Sequence, residues 1–363
     1  MTFTRRETLM TAGAFAAIPM AHSRQPEPLP LVIGHRGACA LLPEHTLASY
    51  ERAIIDGADM IEPDLCMTKD RHLIVRHEND ISETTDVAAH PEFAGRRTRK
   101  VVDGVAHEGW FTEDFTLAEL KTLRAKERLP NLRPASAKMD GRFPIVTLSE
   151  VIDFVAGQAR VRGRMIGIVP ELKHSTYFSD AGLPMEDLFI DIIGRQPYGR
   201  SAPLIVQSFE TGNLRYLKDQ IGQWTNVRLM QLCDEEAMQP ADILKTGGKA
   251  TYANMMTSAG LAEMAAYADI VAPYKMSIVP VGGDGRLGAP TTLVKDAHKV
   301  GLAVMPYTFR PENSFLPAAL REGDDPAHRA EKGAIAEIRA FVRAGIDGFF
   351  TDDPAIGRRA VSA

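Results

Sequence analysis

Cysteine is scarce in this chain of 363 residues, which has three, at Cys39, Cys66 and Cys233. No two of them have the C-x-x-C spacing typical of zinc sites and redox pairs, and the number is odd. We therefore expect neither a disulfide framework nor a zinc site. A strong excess of one charge is lacking too, since the formal net charge is -5. Without a basic cluster interleaved with aromatic residues, the sequence predicts no nucleic-acid partner.

A long apolar run is missing from the N-terminal region. The weakly apolar stretch 11–20 is too short to span a bilayer, so we expect no stable membrane anchor. It follows a charged start that contains Arg5 and Arg6, and paired arginines before a short apolar stretch are typical of a twin-arginine export signal. We predict that residues 1–23 form such a signal and that the protein is periplasmic or secreted.

The chain does have enough apolar sequence, 45% of its residues, to bury a large core. Beyond residue 30, short apolar runs alternate with longer helical segments, close to eight of each. The candidate strands are 31–35, 60–65, 165–172, 204–209, 227–232, 270–273, 303–309 and 346–351. The clearest helical segments are 46–56, 149–156, 185–193, 258–266, 292–300 and 334–344. This alternation predicts an α/β fold, a (β/α)₈ TIM barrel that forms a single domain over residues 30–358.

One long gap interrupts the alternation after the second strand. Residues 78–146 are too many for an ordinary loop between a strand and a helix. We interpret them as an insertion over the mouth of the barrel. Thr116 and Glu119 have the spacing of a capping box, which predicts a helix over 117–127.

Carboxylates close two of the predicted strands. Glu62 and Asp64 are two residues apart, so they point to the same face of an extended strand. Glu171 closes the next strand and supplies a third carboxylate. Three oxygen donors of this kind suit calcium or magnesium rather than zinc.

Histidines and cations accompany these carboxylates. His35 and Arg36 end the first strand, Lys173 follows Glu171, and His77 lies in a comparable position after the second strand. Each residue taken alone has an ordinary structural explanation, such as a solvated strand end or a salt bridge. Their convergence at the C-terminal rim, where barrel active sites are built, favours a hydrolytic site.

Several motifs, in this order and spacing, resemble the glycerophosphodiester phosphodiesterases. They are Ile33-Gly-His-Arg-Gly-Ala38, Pro43-Glu-His-Thr46, Gly57-Ala-Asp-Met-Ile-Glu-Pro-Asp64, Val75-Arg-His-Glu78, Pro170-Glu-Leu-Lys173 and Gly348-Phe-Phe-Thr-Asp352. Segments 114–121, 141–144 and 307–310 are similar to the exported bacterial branch of that family. The chain departs from the family pattern at His45, where Asn is usual, at Arg71, where Gly is usual, and at Glu78, where Asp is usual.

The resemblance implies a barrel of the phospholipase C-like phosphodiesterase type that hydrolyses glycerophosphodiesters to sn-glycerol 3-phosphate and an alcohol. It implies that Glu62, Asp64 and Glu171 hold a divalent cation, with Ca²⁺ favoured and Mg²⁺ as the second candidate. Arg36 and Lys173 would bind the substrate phosphate. His35 and His77 would act as acid and base, through a cyclic phosphate. The partners would be small-molecule glycerophosphodiesters.

Two alternatives stay open at this point. A phospholipase D-like or C-like hydrolase acting on lysolipids needs an apolar rim, for which Trp110, Phe111 and Phe115 are the candidates. A catalytically weakened periplasmic binding protein would keep the fold, and His45 leaves room for it.

Overall fold

The computed structural model describes residues 29–362. The predicted export signal, residues 1–23, lies outside the described residues. Within the described range, no helix combines the length and the apolar character needed to cross a membrane.

Thirteen strands occur within residues 29–362, and eight of them are parallel neighbours in one sheet. The strands are β1 (Leu31–His35), β2 (Met60–Glu62), β3 (Asp64–Met67), β4 (Leu73–Val75), β5 (Thr98–Val102), β6 (Val105–Gly109), β7 (Gly167–Ile168), β8 (Glu171–Leu172), β9 (Leu204–Ser208), β10 (Val227–Cys233), β11 (Ile270–Pro273), β12 (Ala303–Val304) and β13 (Gly348–Thr351). The parallel path runs β12-β11-β10-β9-β7-β2-β1-β13, so each of the eight predicted strands contributes one member.

Backbone hydrogen bonds join the two ends of this path. The Asp347 N–H donates to the Val304 carbonyl (2.9 Å), and the Phe350 N–H donates to the Pro306 carbonyl (3.1 Å). The Phe309 N–H then donates to the Phe350 carbonyl (2.9 Å). Since β13 also pairs with β1, the sheet closes on itself and the predicted barrel is confirmed.

Prolines divide two of the predicted strands near the barrel mouth. Pro63 separates β2 from β3, and Pro170 separates β7 from β8. Proline has no N–H to donate to a neighbouring strand, so the pairing stops there and resumes one residue later. After the break, β3 pairs in parallel with β8, with Asp64 opposite Glu171.

Thirteen α-helices occur within residues 29–362. They are α1 (Leu47–Ile55), α2 (Leu117–Leu120), α3 (Pro134–Ala137), α4 (Leu148–Arg162), α5 (Ser175–Asp180), α6 (Glu186–Arg195), α7 (Gly212–Ile221), α8 (Ala241–Lys245), α9 (Tyr252–Met255), α10 (Ser258–Met264), α11 (Leu293–Lys299), α12 (Glu331–Ala344) and α13 (Pro354–Val361). Two of them, α2 and α3, lie in the 78–146 segment. The longest, α4, begins with a capping box between Thr147 and Glu150 and ends at Gly163, which has a left-handed backbone. All six predicted helical segments are helical.

The core has two parts because every barrel strand is buried on both faces. Alternate strand residues point in opposite directions, so Ile33 packs inside the barrel and Val32 packs against the helices. The inner cluster also contains Met60, Val169, Ile205, Met230, Leu232, Ile270, Ala272, Met305 and Phe350. Side chains therefore fill the interior of the barrel below its mouth.

Residues 78–146 contain the hairpin β5–β6, several short helical turns, and the buried side chains of Phe111 and Phe115. The predicted helix over 117–127 is wrong beyond Leu120, although its capping box is present. The Ala125 N–H donates to the Phe143 carbonyl (2.8 Å), so this part of the chain pairs with other segments. These long-range backbone bonds replace the helical ones.

A buried ion pair attaches α12 to the barrel. The Lys275 ammonium donates to Glu337 Oε1 (2.7 Å), and burial raises the pKa of Glu337. We expect Lys275→Met to lower the free energy of unfolding by about 3–5 kcal/mol, because it leaves a buried carboxylate without a cation. We expect the double variant K275M/E337L to recover most of that loss in urea denaturation.

The matched control for this pair is Lys299→Met, which removes an exposed pair with Asp296 on α11. We expect this variant to unfold at nearly the same urea concentration as the wild-type protein. Equal stability of K275M and the wild-type protein would show that the buried pair does not anchor α12.

Candidate active site

Three carboxylates meet at the mouth of the barrel. Glu62 ends β2, Asp64 begins β3, and Glu171 begins β8. One oxygen from each lies within 4.8 Å of the others, and all three side chains are buried. The structure therefore brings together the three predicted cation ligands.

The electrostatics of this cluster favour a bound cation. Burial raises the pKa of Glu62 well above its usual range, and Asp64 and Glu171 raise it further. Burial also raises the pKa of Glu171. Asp64 Oδ1 is buried without a hydrogen-bond donor. Crowded, dehydrated carboxylates with a free oxygen fit a divalent cation of the calcium or magnesium class.

Lys173 lies against two of these carboxylates. Its ammonium is 2.8 Å from Glu171 Oε1 and 3.6 Å from Asp64 Oδ1. Burial by itself lowers the pKa of Lys173, but the two carboxylates outweigh it and the net pKa is raised. The predicted phosphate-binding lysine is therefore charged at the cluster.

A strained turn places Arg36 beside the same cluster. Arg36 has a left-handed backbone (φ 53), and its N–H donates to Glu62 Oε2 (2.7 Å). Gly37 follows with φ 94, and a Cβ there would lie 2.7 Å from the backbone carbonyl carbon of Ser49. Only glycine fits this close approach, so the His-Arg-Gly sequence has a direct steric reason.

His35 is held by a carboxylate that directly follows the last barrel strand. Its Nδ1–H donates to Asp352 Oδ1 (2.6 Å). Burial opposes ionisation of Asp352, but Arg133 and Arg310 hold its pKa well below the usual range, so it accepts the hydrogen bond. Burial and Arg36 lower the pKa of His35 to about 4. The ring is therefore neutral at pH 7, with the lone pair on Nε2.

His77 has a matching arrangement and borders the same cavity as His35. Its Nδ1–H donates to Glu78 Oε1. Burial, Arg36 and Lys173 lower the pKa of His77 to about 3. This ring is also neutral at pH 7 and has its lone pair on Nε2.

All the predicted site residues except Asp64 border one small cavity of about 110 Å³. Its wall includes His35, Arg36, Glu62, His77, Glu171 and Lys173, together with Gln207, Phe209, Tyr307 and Arg310. An outer cavity of about 360 Å³ shares His77, Glu171, Lys173, Phe209 and Tyr307 with it. The cleft therefore has an inner part at the charged cluster and a wider outer part.

His45 holds the carboxylate of Asp64 in place. Its Nε2–H donates to Asp64 Oδ2 (2.9 Å), and its Nδ1 accepts from the Tyr50 hydroxyl (2.9 Å). The backbone at His45 is left-handed (φ 56), a conformation in which Asn and His are both enriched. Arg71 likewise has φ 63, which explains why glycine suits that position. Neither departure from the family pattern removes a candidate ligand.

Sequence reasoning gave no role to the carboxylates that orient the histidines. Both carried a signal, since Glu78 directly follows His77 and Asp352 follows the last strand. Arg128 and Arg133, which pair with these carboxylates, carried none, because they lie in the 78–146 segment far from any strand end.

A second group of potential metal ligands consists of His35, Cys39 and Asp352. Arg133 already donates to Asp352 Oδ2 and to the Cys39 carbonyl oxygen (2.9 Å). Burial raises the pKa of the Cys39 thiol well above its usual value. The arginine thus supplies the positive charge there, and we assign no metal to this group.

Comparison with known sequences gives a consistent result. A sequence model of the glycerophosphoryl diester phosphodiesterase family matches residues 35–356. A glycerophosphodiester phosphodiesterase of Arabidopsis thaliana is 36% identical over 337 residues, which cover 89% of this chain and 83% of the relative. One of Haemophilus influenzae is 27% identical over 342 residues, which cover 90% of this chain and 88% of the relative.

Solved structures share the fold. A glycerophosphoryl diester phosphodiesterase structure from Silicibacter pomeroyi has a TM-score of 0.64 at 19% identity, covering 93% of this chain and 95% of that chain. An Oleispira antarctica phosphodiesterase in complex with the product sn-glycerol-3-phosphate has a TM-score of 0.58 at 20% identity. That match covers 92% of this chain and 98% of the other.

We expect calcium or magnesium to raise the Tm of the chelator-treated protein, because a cation relieves the repulsion among Glu62, Asp64 and Glu171. At a free cation concentration 100 times Kd, the gain in stability is about 2.7 kcal/mol. We expect Glu171→Gln to lose most of this shift in differential scanning calorimetry. The ion that acts at the lower concentration is the preferred one.

The control is Glu127→Gln, which changes a buried carboxylate outside the cluster and should keep the full shift. An identical shift in E171Q and the unmodified protein would rule out this cation site.

Proposed function

The chain belongs to the glycerophosphoryl diester phosphodiesterase family, and we propose that its catalysis uses a divalent cation and two histidines. The enzyme is a glycerophosphodiester phosphodiesterase, which produces sn-glycerol 3-phosphate and an alcohol. The observation that carries the proposal is that His35 and His77 border one small cavity together with two carboxylates of the cluster, Glu62 and Glu171. We also propose one catalytic domain over 30–358, with 78–146 inserted over the mouth.

Charge at the phosphate is the first requirement of the reaction. A phosphodiester is anionic and resists attack, so hydrolysis needs positive charge at its nonbridging oxygens. Arg36 and Lys173 border the inner cavity and would bind these oxygens. A divalent cation, held by the carboxylate cluster, would add Lewis-acid polarisation of a phosphoryl oxygen. We propose calcium, on the resemblance to the exported branch of the family.

Proton transfer is the second requirement. We propose that one neutral histidine removes the proton from the glycerol hydroxyl of the substrate, which attacks phosphorus. The bond from phosphorus to the alcohol breaks, and the other histidine, protonated, donates to the departing oxygen. The bound phosphate favours that protonation, since it brings negative charge beside the rings. Water then opens the cyclic phosphate while His35 and His77 exchange roles.

The structure bears on the alternative activities. Phe111 and Phe115 are fully buried, and Trp110 donates its Nε1–H to the Phe93 carbonyl (2.7 Å). These aromatic residues form the core of the 78–146 segment, so they supply no rim for acyl chains. His45, on which the weakened binding protein depended, holds Asp64 in place. Both observations favour turnover of small glycerophosphodiesters.

We expect His35→Ala and His77→Ala each to lower kcat by about 10² to 10⁴, the usual contribution of an acid or base. The measurement is release of sn-glycerol 3-phosphate from glycerophosphocholine, with lysophosphatidylcholine as the competing substrate. The matched control is His107→Ala on β6, an exposed histidine, which should keep the normal rate. A normal rate in either site variant would remove that histidine from the mechanism, and preference for lysophosphatidylcholine would support the lysolipid alternative.

We further propose twin-arginine export to the periplasm or medium, supported by Arg5 and Arg6 before a short apolar stretch. In a bacterium with this export pathway, we expect the R5K/R6K variant of the full chain to remain in the cytoplasm. Cell fractionation with activity as readout measures this. The control, R160K/R162K, changes two exposed arginines of α4 and should be exported normally. Equal export of R5K/R6K would contradict the proposal.

A further inference from the structure

Two arginines reach from the 78–146 segment to the carboxylates that hold the histidines. We propose that Arg128 and Arg133 are positioning residues, each fixing the carboxylate that orients one of the two histidines. The inference rests on the proposed function, since it assumes that both rings take part in proton transfer. It assigns a catalytic purpose to the segment itself, which neither binds the cation nor supplies a proton.

The first connection runs from Arg133 to His35. Asp352 accepts the His35 Nδ1–H at Oδ1 and accepts from Arg133 at Oδ2. Arg133 also donates to Glu312 Oε1 (2.7 Å) and to the Cys39 carbonyl (2.9 Å). Arg133 is 7% exposed, and these bonds fix its guanidinium plane. The ring of His35 is therefore held through one carboxylate by an immobilised cation.

The second connection runs from Arg128 to His77. Glu78 accepts the His77 Nδ1–H at Oε1, and the same oxygen accepts from Arg128 (2.9 Å). Arg128 makes two further bonds to Glu44, of 3.0 and 2.8 Å. Glu44 in turn accepts from the Arg36 guanidinium (3.1 Å). This arginine thus connects the second histidine to the turn that carries the phosphate-binding residue.

Both arginines lie on one short, internally bonded stretch of chain. The Arg133 N–H donates to the Leu129 carbonyl (2.8 Å), and the Leu129 N–H donates to Glu127 Oε1 (2.8 Å). Glu127 also accepts from the Ser136 hydroxyl at its other oxygen. The turn between the two arginines is closed by these bonds, so the placement of one arginine constrains the other.

Arginine suits this task because its planar guanidinium donates to two acceptors in a fixed geometry. A lysine at either position keeps the positive charge but lacks the rigid planar arrangement of donors that fixes both partners. Without the planar guanidinium, a buried carboxylate such as Asp352 turns toward other donors, and the histidine loses its fixed orientation. Partners of this kind behind a functional group are typically worth 10-fold to 100-fold in activity.

We expect R128K and R133K each to lower kcat by about 10-fold to 100-fold, with KM changed less than about threefold. The deciding measurement is a pair of double-mutant cycles, since residues that act through one another are not additive. In an H35A background, R133K should lower kcat little further. In an H77A background, it should lower kcat by the same factor as in the wild-type protein. R128K should show the reverse pattern.

The matched control is R96K, which breaks a two-bond pair with Glu119 inside the same 78–146 segment but away from both histidines. It should leave kcat unchanged. Comparable Tm values for the three lysine variants would show that stability is not the cause of any loss.

The inference would be overturned if R133K lowered kcat equally in the wild-type, H35A and H77A backgrounds. It would also be overturned if R96K lowered kcat as much as R133K does. If R133K does not fold, the R128K cycle decides the matter, because that arginine is half-buried and bonds a different carboxylate. A normal rate in H35A or H77A would instead refute the proposed mechanism. If H35A and H77A are both inactive as expected but the double-mutant cycles are additive, the proposed mechanism stands and only the roles of the two arginines are refuted.

Discussion

The arrangement of residues at the mouth of this barrel depends on buried negative charge that needs a positive partner. Glu62, Asp64 and Glu171 are removed from water within a few ångströms of one another, and two of them have raised pKa values for that reason. Lys173 neutralises only part of this charge. Buried carboxylates that are only partly neutralised attract a cation, so the same crowding that costs stability in the free protein provides affinity for a metal.

The backbone of the barrel makes this crowding unavoidable. Parallel strands end at one rim, and the breaks at Pro63 and Pro170 let the chain resume pairing one residue later with Asp64 opposite Glu171. On the neighbouring strand, the left-handed turn at Arg36 aims a backbone N–H at Glu62. Backbone geometry therefore fixes the carboxylates before any ligand is bound, which reduces the reorganisation required for catalysis.

The pairing of buried charges with opposite charges continues from the carboxylate cluster to the 78–146 segment. The two histidines stay neutral because burial and neighbouring cations disfavour their protonated forms. Each ring is nevertheless oriented by an ionised carboxylate, and each carboxylate is paired with an arginine from that segment. These arginines pair in turn with the buried carboxylates of Glu312 and Glu44, so each ionised group in this series has an oppositely charged partner.

Local sequence patterns determined the barrel and the group of residues at its mouth. Strands buried on both faces appear as apolar runs, and residues such as Glu62 and Asp64 share a face because side chains alternate along a strand. The pairing of Arg133 with Asp352, 219 residues apart, could not be read in this way. The helix expected over 117–127 ended early for the same reason, since Ala125 bonds to Phe143. Periodicity and turn chemistry are short-range properties that can be read directly from a sequence. The partner of a buried charge depends on which residues the folded chain brings within hydrogen-bond distance, so only the tertiary structure decides which residues pair.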